Sequence, residues 1–241
     1  MKIKVVCFDI DGTLYPKWIT DLKLVRSFFP SPLLALRIQR FREHMRREEA
    51  EKTIPPDSQG FRLRQATWVS NQSMSKAEGE RVEKMARRIE KQFYANWRKA
   101  FSSLPPYAGM RGVLETLRSQ GVRIAALSDF PIGSKLEALK VDDLVEYAIC
   151  TEESGYLKPH PEPFLMLCEK MDVEPIDVLY VGDSCRKDMF GASRVGMKTA
   201  LIDPSAKREN RMNRSSRGCQ HADMIFSNYS EFMERLEKML Q

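Results

Sequence analysis

Residues Val5-Val6-Cys7-Phe8-Asp9-Ile10-Asp11-Gly12-Thr13-Leu14 constrain this chain more than any other stretch. An apolar strand delivers two carboxylates, one residue apart, onto a glycine turn at its C-terminal end. In an open α/β sheet, that end is where ligands bind. Residues i and i+2 of an extended chain point the same way, so Asp9 and Asp11 can address one ligand together. Like charges that close repel unless a cation neutralises them, and hard oxygen ligands of this kind suit Mg2+.

Downstream, apolar strand segments alternate with helical periodicity, which predicts an α/β fold: a Rossmann-like, doubly wound parallel sheet with helices on both faces. Strands are expected at Lys2–Ile10, Val122–Ser128, Tyr147–Thr151, Asp177–Gly182, Lys198–Ile202 and Asp223–Phe226. Helices are expected at Met110–Gln120 and Cys185–Val195, each ended by a glycine, and at Pro161–Met171. A last amphipathic helix is expected to be capped by Ser230.

Residues 15–105 interrupt this pattern and read as helix, giving a core of 1–14 and 106–241 with an inserted helical lobe. Ser31-Pro32 opens one helix to about Glu51, stopped at Pro55-Pro56. Ser75 with Glu78 has the pattern of a capping box for a second, reaching about Ser103. Along it Val82, Met85, Ile89, Phe93, Trp97 and Phe101 recur every three or four positions, a stripe for core packing. Tyr15–Lys17 and Leu104–Gly109 are the natural hinges between the two parts.

The 241 residues suffice for such a core and lobe, and no apolar run is long enough for a transmembrane helix. A strand opening at Lys2 leaves no room for a leader peptide, and the five scattered cysteines form no Cys-x-x-Cys pair. A cytoplasmic protein with reduced thiols is the expectation. His44, His160 and His221 lack the spacing of zinc ligands. The net charge of +6 is uneven: 15–105 hold 19 Lys and Arg against 10 Asp and Glu, a surplus of +9, and the remainder is at −3. No nucleic-acid-binding motif accompanies the basic lobe, so nucleic acid is not the expected partner.

Four segments together resemble the motifs of the haloacid dehalogenase-like hydrolases, most of which are phosphatases. Asp9-Ile10-Asp11-Gly12-Thr13 is similar to the first and Ser128-Asp129, closing a strand, to the second. Gly155-Tyr156-Leu157-Lys158-Pro159 is similar to the third, and Gly182-Asp183-Ser184 with Asp188 to the acidic fourth. The resemblance implies that Asp9 is a nucleophile and Asp11 a general acid and base. Ser128, Asp129 and Lys158 would bind phosphate. Mg2+ would be held by Asp9, Asp183 and the backbone carbonyl of Asp11, supported by Asp188. The lobe would be the family's helical cap, and the substrate a small-molecule phosphate ester. A phosphomutase on the same motifs and a non-catalytic binding protein are the alternatives; a dehalogenase would lack Asp11. Lys187 stands where many members carry Asn.

Two basic features are surplus to such chemistry. Arg42, Arg46, Arg62 and Arg64 would either bind a second anionic group on the substrate or merely keep the helices soluble. Asp203–Gln220, with Lys207, Arg208, Arg211, Arg214 and Arg217, reads as a solvated loop.

Overall fold

The computed structural model describes residues 3–19, 21–22, 31–47, 57–70, 76–101, 103–205 and 219–240. Its first strand, β1 (Val5–Phe8), is buried at all four residues, as an unbroken apolar run demands. In chain order there follow α1 (Pro32–Arg47), α2 (Ser58–Ser70), α3 (Lys76–Ile89), α4 (Ala95–Ala100) and α5 (Met110–Ser119). Then come β2 (Arg123–Ser128), α6 (Lys135–Leu139), β3 (Tyr147–Cys150), α7 (Pro161–Met171) and β4 (Val178–Gly182). The chain continues with α8 (Phe190–Arg194), β5 (Lys198–Ile202), β6 (Met224–Phe226) and α9 (Tyr229–Leu240). The sheet order is β3-β2-β1-β4-β5-β6, every pairing parallel. After β3 the chain crosses to the far side of β1, so β1 and β4 flank the reversal of winding, where such sheets open a ligand crevice. Each strand lies within its expected span and is trimmed only at the ends.

Strand alternation divides the core between the two faces of the sheet. Val6, Phe8, Ile124, Ala126, Leu179 and Val181 join Leu114 and Leu117 of α5 and Phe232 and Leu236 of α9. Val5, Cys7, Ala125, Leu127, Val178 and Tyr180 join Phe164, Leu167 and Met171 of α7. Gly121 and Gly196 take the left-handed conformation expected at the ends of their helices. The cap of α9 is Asn228, not Ser230: its Oδ1 accepts from the Glu231 amide at 3.0 Å, while the Glu231 carboxylate accepts from the Ser227 amide at 2.9 Å.

Between β1 and β2 every described element is helical. Ser31-Pro32 starts α1 as expected; its end toward Glu51, the Pro55-Pro56 stop and the Ser75–Glu78 box lie outside the described residues. The long second helix is α3 joined to α4 through a π turn at Glu90–Tyr94. Ile89, Phe93, Trp97 and Phe101 are spaced by four, so on an ideal helix each step would drift by about 40°. The π turn lodges one extra residue, worth about 100°, and keeps all four buried along one seam. A second departure is a disulfide between Cys185 and Cys219, which corrects the expectation of five reduced thiols; Cys7, Cys150 and Cys168 are free. Residues 206–218 of the basic stretch lie outside the described residues. Among the described residues, no helix is long and apolar enough to cross a membrane.

Candidate active site

The segments that follow β1, β2, β3 and β4 bring all seven expected residues together at the C-terminal end of the sheet. The Asp9 amide donates to the Val181 carbonyl at 2.8 Å, which extends the β1–β4 ladder to the first carboxylate. Gly12 then turns the chain at φ +98°, and a Cβ there would collide with the Asp183 carboxylate. That approach of backbone to Asp183 is open only to glycine.

Asp9, Asp183 and Asp188 converge: one carboxylate oxygen from each lies within 4.8 Å of the others. Lys158, fully buried, places its Nζ 2.7 Å from Asp9 Oδ1 and 2.7 Å from Asp188 Oδ1, with the Tyr180 hydroxyl at 3.1 Å. Asp188 Oδ2 accepts from the Ser184 amide at 3.0 Å. Burial, reinforced by Asp188, Asp183 and Asp11 against the pull of Lys158, pushes Asp9 up to about 7. Burial and then Asp188 raise Asp183 as well, although Lys17 donates to its Oδ2 at 3.2 Å. Asp183 Oδ1 is buried with no hydrogen-bond partner among the described residues. Three carboxylates, one lysine within the cluster and an orphaned oxygen make an oxygen-rich site short of positive charge. A hard divalent cation fits that donor set.

Asp11 has different company. Lys135 Nζ donates to both of its oxygens at 2.7 Å, Ser128 Oγ donates to Oδ2 at 3.2 Å, and the Tyr15 hydroxyl donates to Oδ1. Burial favours the neutral acid, but the charge and hydrogen bonds of Lys135, with Tyr15 and Ser128, bring Asp11 below its ordinary value. Ser128 Oγ also accepts from the Phe130 amide at 3.2 Å. Lys135 is not singled out by the sequence, and Tyr15 and Lys17 read there only as a hinge. Lys135 opens a short helix that reads as solvated, and nothing in its spacing from Ser128 marks it.

Asp129 holds the second-motif turn. Its Oδ1 accepts from Thr151 Oγ1 at 3.1 Å and from the Lys158 amide at 3.2 Å, and Arg46 donates to Oδ2 at 2.7 Å. Burial works against the charge, yet Arg46, Lys158, Lys187 and Arg42 hold this carboxylate well below the usual range. Lys187 therefore supplies positive charge to both Asp129 and Asp183.

The four arginines bond to protein groups rather than only to solvent. Arg42 donates to Glu152 at 2.5 Å and to the Asp129 carbonyl, and Arg64 donates to the Gly155 carbonyl at 2.6 Å. Arg62 bonds to Glu90 at 3.0 Å and lies 3.9 Å from Glu152.

A family model for haloacid dehalogenase-like hydrolases matches residues 3–196. The chain belongs to this family. Among its haloacid dehalogenase-like relatives is the glyceraldehyde 3-phosphate phosphatase of Pyrococcus abyssi, 36% identical over 41% of this chain and 43% of that protein. The match thus spans less than half of that relative. The phosphoglycolate phosphatase of Mannheimia succiniciproducens is 27% identical over 97% of this chain and 98% of its own. The fold is shared with the 2-haloacid dehalogenase of Pseudomonas syringae pv. Tomato, at a TM-score of 0.63, 20% identity and coverage of 98% and 99% of the two chains.

Proposed function

We propose that this hydrolase is a Mg2+-dependent phosphatase that acts on a small phosphorylated metabolite through a phospho-aspartate on Asp9. The observation that carries the reading is the separation of the two β1 carboxylates. Asp9 sits with Asp183, Asp188 and Lys158, whereas Asp11 is turned to Lys135, Tyr15 and Ser128. By placement, the carboxylate beside the cation site suits nucleophilic attack and the one held outside it suits proton transfer.

Asp9 attacks phosphorus as its anion, and the departing alcohol takes its proton from Asp11, which Lys135 holds ionised in the free site and which takes up that proton from the monoanionic phosphate ester as it binds. Asp11 then accepts a proton from the water that attacks the phospho-aspartate, which releases inorganic phosphate and restores Asp9. Ser128 Oγ, the Asp129 amide and Lys158 Nζ hold the phosphoryl oxygens. Lys158 also offsets the clustered carboxylates so that Asp9 can be anionic when it attacks. Asp9, Asp183 and the Asp11 carbonyl would hold Mg2+, with Asp188 in support. Bound there, it would draw charge from the phosphoryl oxygens.

In this reading residues 15–105 are a helical cap over a core of 1–14 and 106–241, and the cap selects the substrate. Relatives named for glyceraldehyde 3-phosphate and phosphoglycolate support a small phosphate ester as substrate. Asp11 favours a phosphatase over a dehalogenase despite the shared fold, and the reading places the enzyme in the cytoplasm. The test is phosphate release from a panel of phosphate esters, with and without Mg2+, by the parent and Asp9→Asn. The isosteric amide should abolish turnover; near-normal turnover by Asp9→Asn would refute the mechanism.

A further inference from the structure

Lys135 is 1% exposed, and its ammonium is enclosed on one side by Trp97 and Phe101, whose ring centroids lie 4.6 and 4.7 Å from Nζ. On the other side it meets both oxygens of Asp11 at 2.7 Å. Burying an ammonium is expensive unless it is paired. Among the described residues its ion-pair partner is the carboxylate proposed to serve the leaving group, and its aromatic walls come from the end of the helical insertion. Trp97 is itself fixed to the core, since its Nε1 donates to the Pro131 carbonyl at 3.3 Å.

We propose that Lys135 is the positioning residue for Asp11, holding the carboxylate in the orientation from which it meets the leaving group. The proposal rests on the phosphatase reading. Each carboxylate oxygen has about two acceptor positions. Oδ1 takes Lys135 and Tyr15, and Oδ2 takes Lys135 and Ser128. Ser128 is the donor that a bound phosphate recruits. Substrate binding therefore frees one position on Oδ2, while Lys135 and Tyr15 keep Oδ1 in place. Oδ2 is then the oxygen that exchanges the proton with the leaving group. Trp97 and Phe101 hold the ammonium in line, which ties the seating of the insertion to the aim of Asp11.

The experiment uses substituted phenyl phosphates whose phenols span a wide range of acidity. Asp11 matters most when the leaving group is basic and least for p-nitrophenol, which departs without help. Lys135→Met keeps the stem between the rings and removes the ammonium; Lys135→Gln is the second variant should the first fold poorly, which a thermal melt reports. The expected result is a kcat lowered tenfold or more for phenyl phosphate and by threefold or less for p-nitrophenyl phosphate, with KM unchanged. In an Asp11→Asn background, Lys135→Met should add nothing. An equal loss across the series, or a further loss in the Asp11→Asn background, overturns the positioning role. If Asp11→Asn itself leaves the leaving-group dependence unaltered, the assignment of Asp11 fails and the role of Lys135 fails with it. If Asp11→Asn steepens that dependence and Lys135→Met does not, the positioning role alone is wrong.

Discussion

Arg42→Met is the substitution that most directly probes how the helical insertion is held to the sheet. The guanidinium is 2% exposed and its partner Glu152 is 1% exposed, on the turn after β3. Burial opposes its charge, but Glu152, Tyr94 and Asp129 raise Arg42 above its ordinary value. Removing one member of a buried ion pair costs about 3–5 kcal/mol; Glu152 would keep the Tyr94 hydroxyl at 3.0 Å and Arg62 at 3.9 Å. The stacking of Arg42 on Phe130, at 4.0 Å, adds about 1 kcal/mol. For a chain of this length each kcal/mol lowers Tm by roughly 2–4 °C, so a loss of about 4–6 kcal/mol should melt Arg42→Met some 8–24 °C below the parent. Arg87→Ala is the control: its pair with Glu83 is exposed, and its loss is worth about 0.5 kcal/mol or less. Urea unfolding followed by circular dichroism and by tryptophan fluorescence measures both. Arg42→Met with Glu152→Met should recover much of the loss, because apolar replacement of a whole buried pair is often neutral. Recovery should stop short of the parent, since the Asp129 carbonyl also loses its donor. A single variant within about 1 kcal/mol of the parent, or a double no more stable than the single, would show that the pair is not buried as described.

Two further outcomes are expected. Mg2+ should stabilise the fold relative to chelator by about 2.7 kcal/mol at a hundredfold excess over Kd, seen as a higher Tm, and Asp183→Ala should abolish that rise more completely than Asp188→Ala; a rise that survives Asp183→Ala places the cation elsewhere. Thiol labelling of the folded protein at neutral pH should be negligible: burial keeps Cys7 and Cys150 well above the ordinary thiol range, and Cys168 is pushed up to about 11. Unfolding without reductant should expose the three free cysteines, and unfolding with reductant all five; five without reductant would contradict the Cys185–Cys219 bond.

The strands were legible because a sheet covered on both faces needs unbroken apolar runs, and Val5–Phe8, Arg123–Ser128 and Val178–Gly182 supply them. Asp9 and Asp183 were legible because each directly follows a strand, and Asp188, in the turn of Cys185–Met189, by its spacing from Asp183. Helix α2 was not anticipated: its buried residues are Phe61, Gln65, Ala66 and Val69, interrupted by Arg62 and Arg64, and they form no apolar stripe. The π turn leaves its trace only as a spacing of four, which is easily taken for ordinary helix. Lys135 and the disulfide were hidden for a shared reason. Lys135 lies 124 residues from Asp11, and Cys185 lies 34 from Cys219. No local pattern records which distant partner a folded side chain meets.

The arginines show the same limit and add something to the proposed chemistry. Neither substrate binding nor solubility describes what Arg42 and Arg46 do in this structure. Arg42 meets the carbonyl of Asp129, and Arg46 meets its carboxylate. Asp129 also receives the Lys158 amide, so one residue links two arginines of the insertion to the lysine that lies between Asp9 and Asp188. The surplus of +9 on the insertion and the −3 of the remainder thus meet at the turn proposed to bind phosphate. If the insertion moves as the proposed cap, its departure would strip Asp129 of both arginines while leaving it Thr151 and the Lys158 amide. Its carboxylate would then face solvent with less positive charge nearby, and the turn would bind phosphate less well. In the proposed reading, Asp129 is therefore the residue through which the seating of the insertion and the binding of phosphate would be coupled.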